Sequence, residues 1–96
     1  MPKAYWVSAY QEIHDENKLA AYAKLAGPAV QAGGGKFMAR GMAAQVYEAG
    51  IKQRTVIVEF ESLATAIACH DSPAYQAAIK ALDGGATRDL RIVEGV

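Results

Sequence analysis

One plan is written twice in this 96-residue chain: a strand, a capped helix and a return strand, then the same again. The first copy runs from Ala4-Tyr5-Trp6-Val7 through a helix to Phe37-Met38-Ala39-Arg40. The second runs from Thr55-Val56-Ile57-Val58-Glu59-Phe60 through Ser62 and two short helices to Leu90-Arg91-Ile92-Val93. A βαββαβ order predicts an α+β sandwich in which a four-stranded antiparallel sheet carries its helices on one face only. The other face is left bare, and the simplest cover for it is a second copy of the chain. The expected assembly is a homodimer with its sheets face to face.

Local chemistry marks the element ends. Asp15 and Ser62 stand where a side-chain oxygen can accept from the first free N–H groups of a helix. Ser72 does the same with Pro73 at the first helical position, where a missing N–H costs nothing. Leu19, Tyr22, Ala23 and Ala26 repeat at helical spacing, and Gly27-Pro28 is expected to interrupt that helix with a kink by removing a donor, after which it continues briefly to about Gln31. Gly33-Gly34-Gly35 ends it, with one glycine at positive φ. Tyr5, Val7 and Ala9 share one strand face; Trp6, Ser8 and Tyr10 share the other. Val56, Val58 and Phe60 form a clean apolar face that should meet the helices, while Ile57 and Glu59 line the space beyond the sheet. Residues 45–48 read as a further short strand.

Length and composition set limits. Residues 1–96 make one domain. Ten basic and ten acidic side chains cancel, so no broad positive field favours nucleic acid, and no apolar run is long enough to span a bilayer. Cys69 is the only cysteine; a small chain without disulfides points to a reducing compartment, and the expected location is cytoplasmic. Gly33-Gly34-Gly35-Lys36 lacks the Ser/Thr and the first glycine of a phosphate loop, and its lysine opens a strand rather than a helix. No Cys/His cluster has zinc spacing. Neither metal nor cofactor is expected.

Several stretches taken together have a counterpart. Gly34-Gly35-Lys36-Phe37 with Ala39-Arg40-Gly41, the run from Ile57-Val58-Glu59-Phe60 into Glu61-Ser62, Asp71-Ser72-Pro73-Ala74-Tyr75-Gln76 and the ending Ile92-Val93-Glu94-Gly95-Val96 resemble the small bacterial proteins of the DUF1330 family. The resemblance covers the whole chain. It implies a ferredoxin-like monomer of the dimeric α+β barrel type, in which two sheets enclose a pocket in each subunit. Relatives on that fold include cofactor-independent monooxygenases and ligand-sensing domains, so fold does not fix function.

The candidate site follows from this frame. Glu59, mid-strand between Val58 and Phe60, is a candidate pocket acid or base, since a carboxylate there needs a partner or water. Arg40, beside Gly41, is a candidate clamp for a substrate carboxylate, or alternatively a neutralising partner for Glu59. With Trp6, Ile57, Ser72 and Tyr75 as substrate-binding residues, the expected function is a small-molecule pocket supporting cofactor-independent chemistry by the Arg40/Glu59 pair. The alternatives are a non-catalytic ligand-binding or stress-associated dimer in which that pair is structural, and an interaction module with a packed barrel. Ser72 reads equally as a cap, Tyr75 as a core aromatic and Trp6 as an interface anchor.

Overall fold

Alternation along the strands decides which side of the sheet the helices cover. The computed structural model describes residues 2–96. Its elements are β1 (Ala4–Ile13), α1 (Glu16–Ala32), β2 (Lys36–Met42), β3 (Arg54–Phe60), α2 (Leu63–Asp71), α3 (Pro73–Leu82) and β4 (Ala86–Glu94). The strands form one sheet in the order β2-β3-β1-β4, each neighbouring pair antiparallel. This is the ferredoxin-like α+β fold. No helix among the described residues is long and apolar enough to cross a membrane.

The helix-facing side is set by register. Trp6 lies opposite Val58 and Ile92, and Ser8 opposite Val56 and Leu90. Directly opposed residues point to the same face, so these side chains form the floor on which the helices rest. Trp6, Val58, Phe60, Tyr75 and Ala78 are buried there, with Tyr22, Ala26, Ala29 and Val30 of α1 above. Removing a ring the size of Phe60 from water contributes roughly 1.5–3 kcal/mol. The expected clean face of β3 therefore meets the helices.

The caps form as the sequence predicts. Asp15 accepts from the Asn17 and Lys18 N–H groups, Ser62 from that of Thr65, and Ser72 from that of Tyr75. Gly34 takes φ +93 after α1. Gly35 is a close approach: a Cβ there would fall 2.6 Å from Val30 Cγ1 and 2.8 Å from Val58 Cγ1, so only glycine lets the end of α1 sit down on β3.

Three expectations change. Pro28 lies inside an α1 that is not interrupted there, and the helix runs to Ala32, one residue past the expected continuation. Tyr22 and Ala26 before it, and Ala29 and Val30 after it, are all buried, so packing on both sides outweighs the missing donor. Residues 45–48 are not a strand; the segment is a loop in which Glu48 takes φ 50 and Gly50 N–H donates to the Tyr47 carbonyl. The third concerns parity in β2. Phe37 lies opposite Val58, but Ala39 lies opposite Ile57, so Met38 is the extra residue of a β-bulge. Downstream of a bulge the inside–outside count shifts by one. Arg40 thus faces the helices opposite Val56.

Candidate functional site

Three polar residues on the helix-facing side come together at one end of the sheet. Arg54 opens β3 with the same parity as Val56, Val58 and Phe60. Tyr10 follows Trp6 and Ser8 on β1, and Arg88 precedes Leu90 and Ile92 on β4, directly opposite Tyr10. The guanidinium carbons of Arg54 and Arg88 lie 5.9 and 5.6 Å from the centroid of the Tyr10 ring. Across β1 there is therefore a row of cation, phenol and cation, roofed by α1.

Arg88 is held by phenols rather than by an acid. Its Nη1 donates to the Tyr22 hydroxyl at 2.8 Å and to that of Tyr10 at 3.3 Å; Nη2 donates to the Tyr75 hydroxyl at 2.9 Å. The Tyr22 and Tyr75 oxygens are 2.7 Å apart, and the guanidinium also lies 4.6 Å from the Tyr22 centroid, within cation–π range. Burial opposes its charge, yet Tyr22 and Tyr75 outweigh that and raise the Arg88 pKa. Burial, with Tyr22 beside it, pushes the Tyr75 phenol far above its ordinary value, so Tyr75 is a poor proton donor.

Beside this network a cleft opens between α1 and the sheet, with an accessible cavity volume of about 40 Å³. Its apolar walls include Ala26, Val30, Phe37 and Val56, its floor includes Trp6 and Ser8, and Arg40, Arg54 and Arg88 also line it. No carboxylate does. None of these arginines joins an ion pair among the described residues. Arg40 is exposed and lies over the Phe37 ring, 4.5 Å from its centroid. Ser8 is 1% exposed, and its Oγ has no hydrogen-bond partner; neither has the buried Nε of Arg54. Buried polar atoms are nearly always paired with protein or ordered water, so two such atoms at one cleft call for an explanation.

The expected site residues divide between the two faces. Trp6 and Arg40 line the cleft, and Tyr75 packs edge-on against Trp6 with ring centroids 4.8 Å apart. Ile57 and Glu59 have the opposite parity and face away. Glu59 is tied there, accepting from Tyr5 Oη at 3.1 Å and from Lys3 Nζ at 3.2 Å. The Lys3 ammonium, and after it the Tyr5 hydroxyl, hold its carboxyl below the usual range against the opposing effect of burial. The expected common pocket for Arg40 and Glu59, and their mutual pairing, are corrected accordingly: the Met38 bulge puts the sheet between them. Ser72 is engaged as a cap, and its hydroxyl donates to the Cys69 carbonyl at 2.7 Å. Burial pushes the Cys69 thiol up, while His70 packs against Trp6 and Tyr75 with ring centroids 5.6 and 5.3 Å away.

Tyr10, Ser8, Tyr22, Arg54 and Arg88 are the site residues that sequence reasoning missed. A signal for three of them was present. Tyr10, Arg54 and Arg88 each continue an alternating apolar series on their own strand, which puts a polar end on the covered face.

Residues 3–96 match a family described as "Domain of unknown function (DUF1330)". No curated protein matches the chain. Among solved structures, it is similar to RPA0582, a protein of unknown function from Rhodopseudomonas palustris: 17% identity, TM-score 0.75, covering 99% of this chain and 83% of that one. A dimeric ferredoxin-like protein of unknown function from Thermobifida fusca gives 18% identity and TM-score 0.65, covering 97% and 91%. SnoaB, a cofactor-independent oxygenase from Streptomyces nogalater, gives 11% identity and TM-score 0.65, covering 97% and 92%. At these identities the likeness speaks for the fold alone.

Proposed function

The chain belongs to the DUF1330 family, and from that premise we propose that it is a cytoplasmic homodimer that holds a small organic molecule in the cleft between α1 and the sheet. The observation that carries the reading is the Ser8 hydroxyl, buried and unpartnered at the floor of a cavity with apolar walls and arginines around it. A hydroxyl in such a place costs stability unless a guest supplies its hydrogen bond. Binding without turnover is favoured over catalysis. The cleft offers neither carboxylate nor histidine, and Tyr75, which bonds to the lining Arg88 without lining the cleft itself, is tuned away from proton transfer. An acid–base role for Glu59 together with Arg40 would need them on one side of the sheet.

The dimer is supported by the uncovered face. Val7 and Ile57 lie opposite each other at its middle, flanked by Tyr5, Ala9 and Val93, and the last of these is 56% exposed. Glu59, Asp89 and Arg91 share this face, so it is a mixed surface whose apolar part favours a cover. The Thermobifida neighbour, a dimer of the same fold, lends weight to a second copy as the cover. Native mass spectrometry of freshly purified protein tests both parts. The expected spectrum is a dimer of the 10.2 kDa chain carrying small-molecule adducts that are lost on replacing Ser8 and Arg54 together. A monomer at micromolar concentration would remove the dimer. Tight adducts that survive the double replacement would move the site elsewhere.

A further inference from the structure

We infer that the guest of this cleft is a small organic monocarboxylate whose acid group enters between Arg54 and Arg88 above Ser8, with its apolar body directed toward the mouth at Phe37 and Arg40. The inference rests on the cleft being a ligand site at all, as proposed above, and adds the chemical class of the ligand.

Charge is the first argument. Arg54 and Arg88 lie on either side of one tyrosine ring, Arg40 lines the same cleft, and no acid among the lining residues neutralises them. Partly desolvated cations of like sign repel, and an anion placed among them relieves that repulsion. Tyr10, Tyr22 and Tyr75 solvate Arg88 with neutral oxygens, which keeps its positive charge available to a guest.

Unused valences are the second argument. Arg54 Nε and Ser8 Oγ are both buried without partners, and both are able to donate to an oxygen. A carboxylate has two oxygens with about four acceptor positions between them, enough for both donors and a guanidinium besides. A neutral amide would turn its NH₂ group toward guanidinium donors and lose one side of the match.

Size and polarity narrow the class. The accessible volume of about 40 Å³ admits a carboxylate-sized head or roughly one or two waters. The remaining ligand must lie along the apolar wall of Ala26, Val30 and Val56 or extend past Phe37. That wall disfavours inorganic phosphate, which is strongly hydrated and has no apolar part to bury. Phosphate sites usually draw several backbone N–H groups from a loop or helix start; here the donors are side chains.

The test uses the full-length chain and the fluorescence of Trp6, its only tryptophan and part of the cleft floor, with calorimetry as a second readout. Propionate and benzoate are titrated beside propionamide and benzamide, and inorganic phosphate is added as a competitor. The expected result is that each acid binds at least about tenfold more tightly than its amide, as for a charge-assisted pair. The preference should weaken with added salt, and Arg54→Gln should erase it. Equal affinity of acid and amide overturns the carboxylate assignment and leaves the cleft as a site for neutral molecules. Phosphate displacing the acids at lower concentration overturns it in favour of an inorganic anion. Binding of none of the five overturns both the assignment and the cleft reading. Should Arg54→Gln fail to fold, Arg40→Gln at the exposed rim and the salt titration of the unaltered chain decide. An acid affinity indifferent to both overturns the inference.

Discussion

Arg40 and Glu59 stand on neighbouring strands with the full thickness of the sheet between their side chains. Arg40 is registered against Val56 under α1, whereas Glu59 accepts hydrogen bonds from Tyr5 and Lys3 on the uncovered side. Residues separated in this way share no partner, and their effects should add. A double-mutant cycle of Arg40→Gln and Glu59→Gln, read by urea unfolding, is expected to give a coupling below about 0.5 kcal/mol. Glu59→Gln alone should leave binding in the cleft unchanged. A coupling of several times that size would mean that the two groups meet.

Ser8 sets stability against function. Replacing it with alanine removes a buried hydroxyl that has no partner, so the empty protein should become more stable by about 1 kcal/mol. The same change should weaken any ligand of the cleft. Thermal unfolding with and without ligand measures both effects; a destabilised Ser8→Ala protein would show that the hydroxyl already has a partner.

Tyr75→Phe tests the phenol network. The ring is fully buried, and its hydroxyl serves both Arg88 and Tyr22. Deleting that oxygen leaves one Arg88 N–H and the Tyr22 hydroxyl short of a partner, with an expected loss of about 1–3 kcal/mol. Chemical denaturation gives the figure. A change near zero would mean that water replaces the oxygen without penalty.

The Lys3–Glu59 pair predicts a pH dependence with a definite sign. Glu59 is depressed from its ordinary value of 4.5, chiefly by its hydrogen bond to Lys3, so its contribution is present above that value. It is lost as pH falls through the lower folded value. Lys3 is raised from 10.5, first by its hydrogen bond to Glu59, so its contribution holds below that value and fades as pH rises through the higher folded one. The stability difference between the native chain and Glu59→Gln should therefore be flat near neutrality and shrink at both extremes. It should be small and sensitive to salt, because the lysine is half exposed. A difference that grows on acidification would reverse the sign of the argument.

Ile57, opposite Val7 near the middle of the uncovered face, tests the assembly. Ile57→Glu is expected to yield folded monomers in sedimentation, since each subunit would bring an unpartnered charge to the one seam. A dimer that persists would place the contact on another surface, such as the loop that exposes Tyr47 and Ile51.

The layered fold was legible because each strand keeps a clear alternation and each helix opens on a capping residue. Val56, Val58 and Phe60 announced the covered face, and Asp15, Ser62 and Ser72 announced the helix starts. The site was legible only in part. Counting alternately from Phe37 sends Arg40 outward, to the side of Glu59, and nothing in Phe37-Met38-Ala39-Arg40 reveals the bulge that reverses it. The bulge comes from pairing against β3, a long-range matter. Arg54 and Arg88 were missed for a different reason: charged residues at strand ends suggest solvent, and only the position of α1 shows that these two are roofed. Pro28 misled because a local rule about a missing donor was outweighed by packing on either side of it.

The Met38 bulge has a reach beyond its own strand. Which chamber of the molecule receives the Arg40 cation depends on whether Met38 is set aside as an extra residue or takes a place in the ladder. Ironing the bulge out at unchanged length, with Met38 taking a regular place in the ladder, would carry a positive charge out of the cleft to the face that bears Glu59, whereas deleting Met38 would leave Arg40 opposite Val56. In this chain the accommodation of one extra residue is itself a determinant of ligand preference, and relatives that pair β2 at the same length without the bulge would be expected to present a cleft poorer in positive charge.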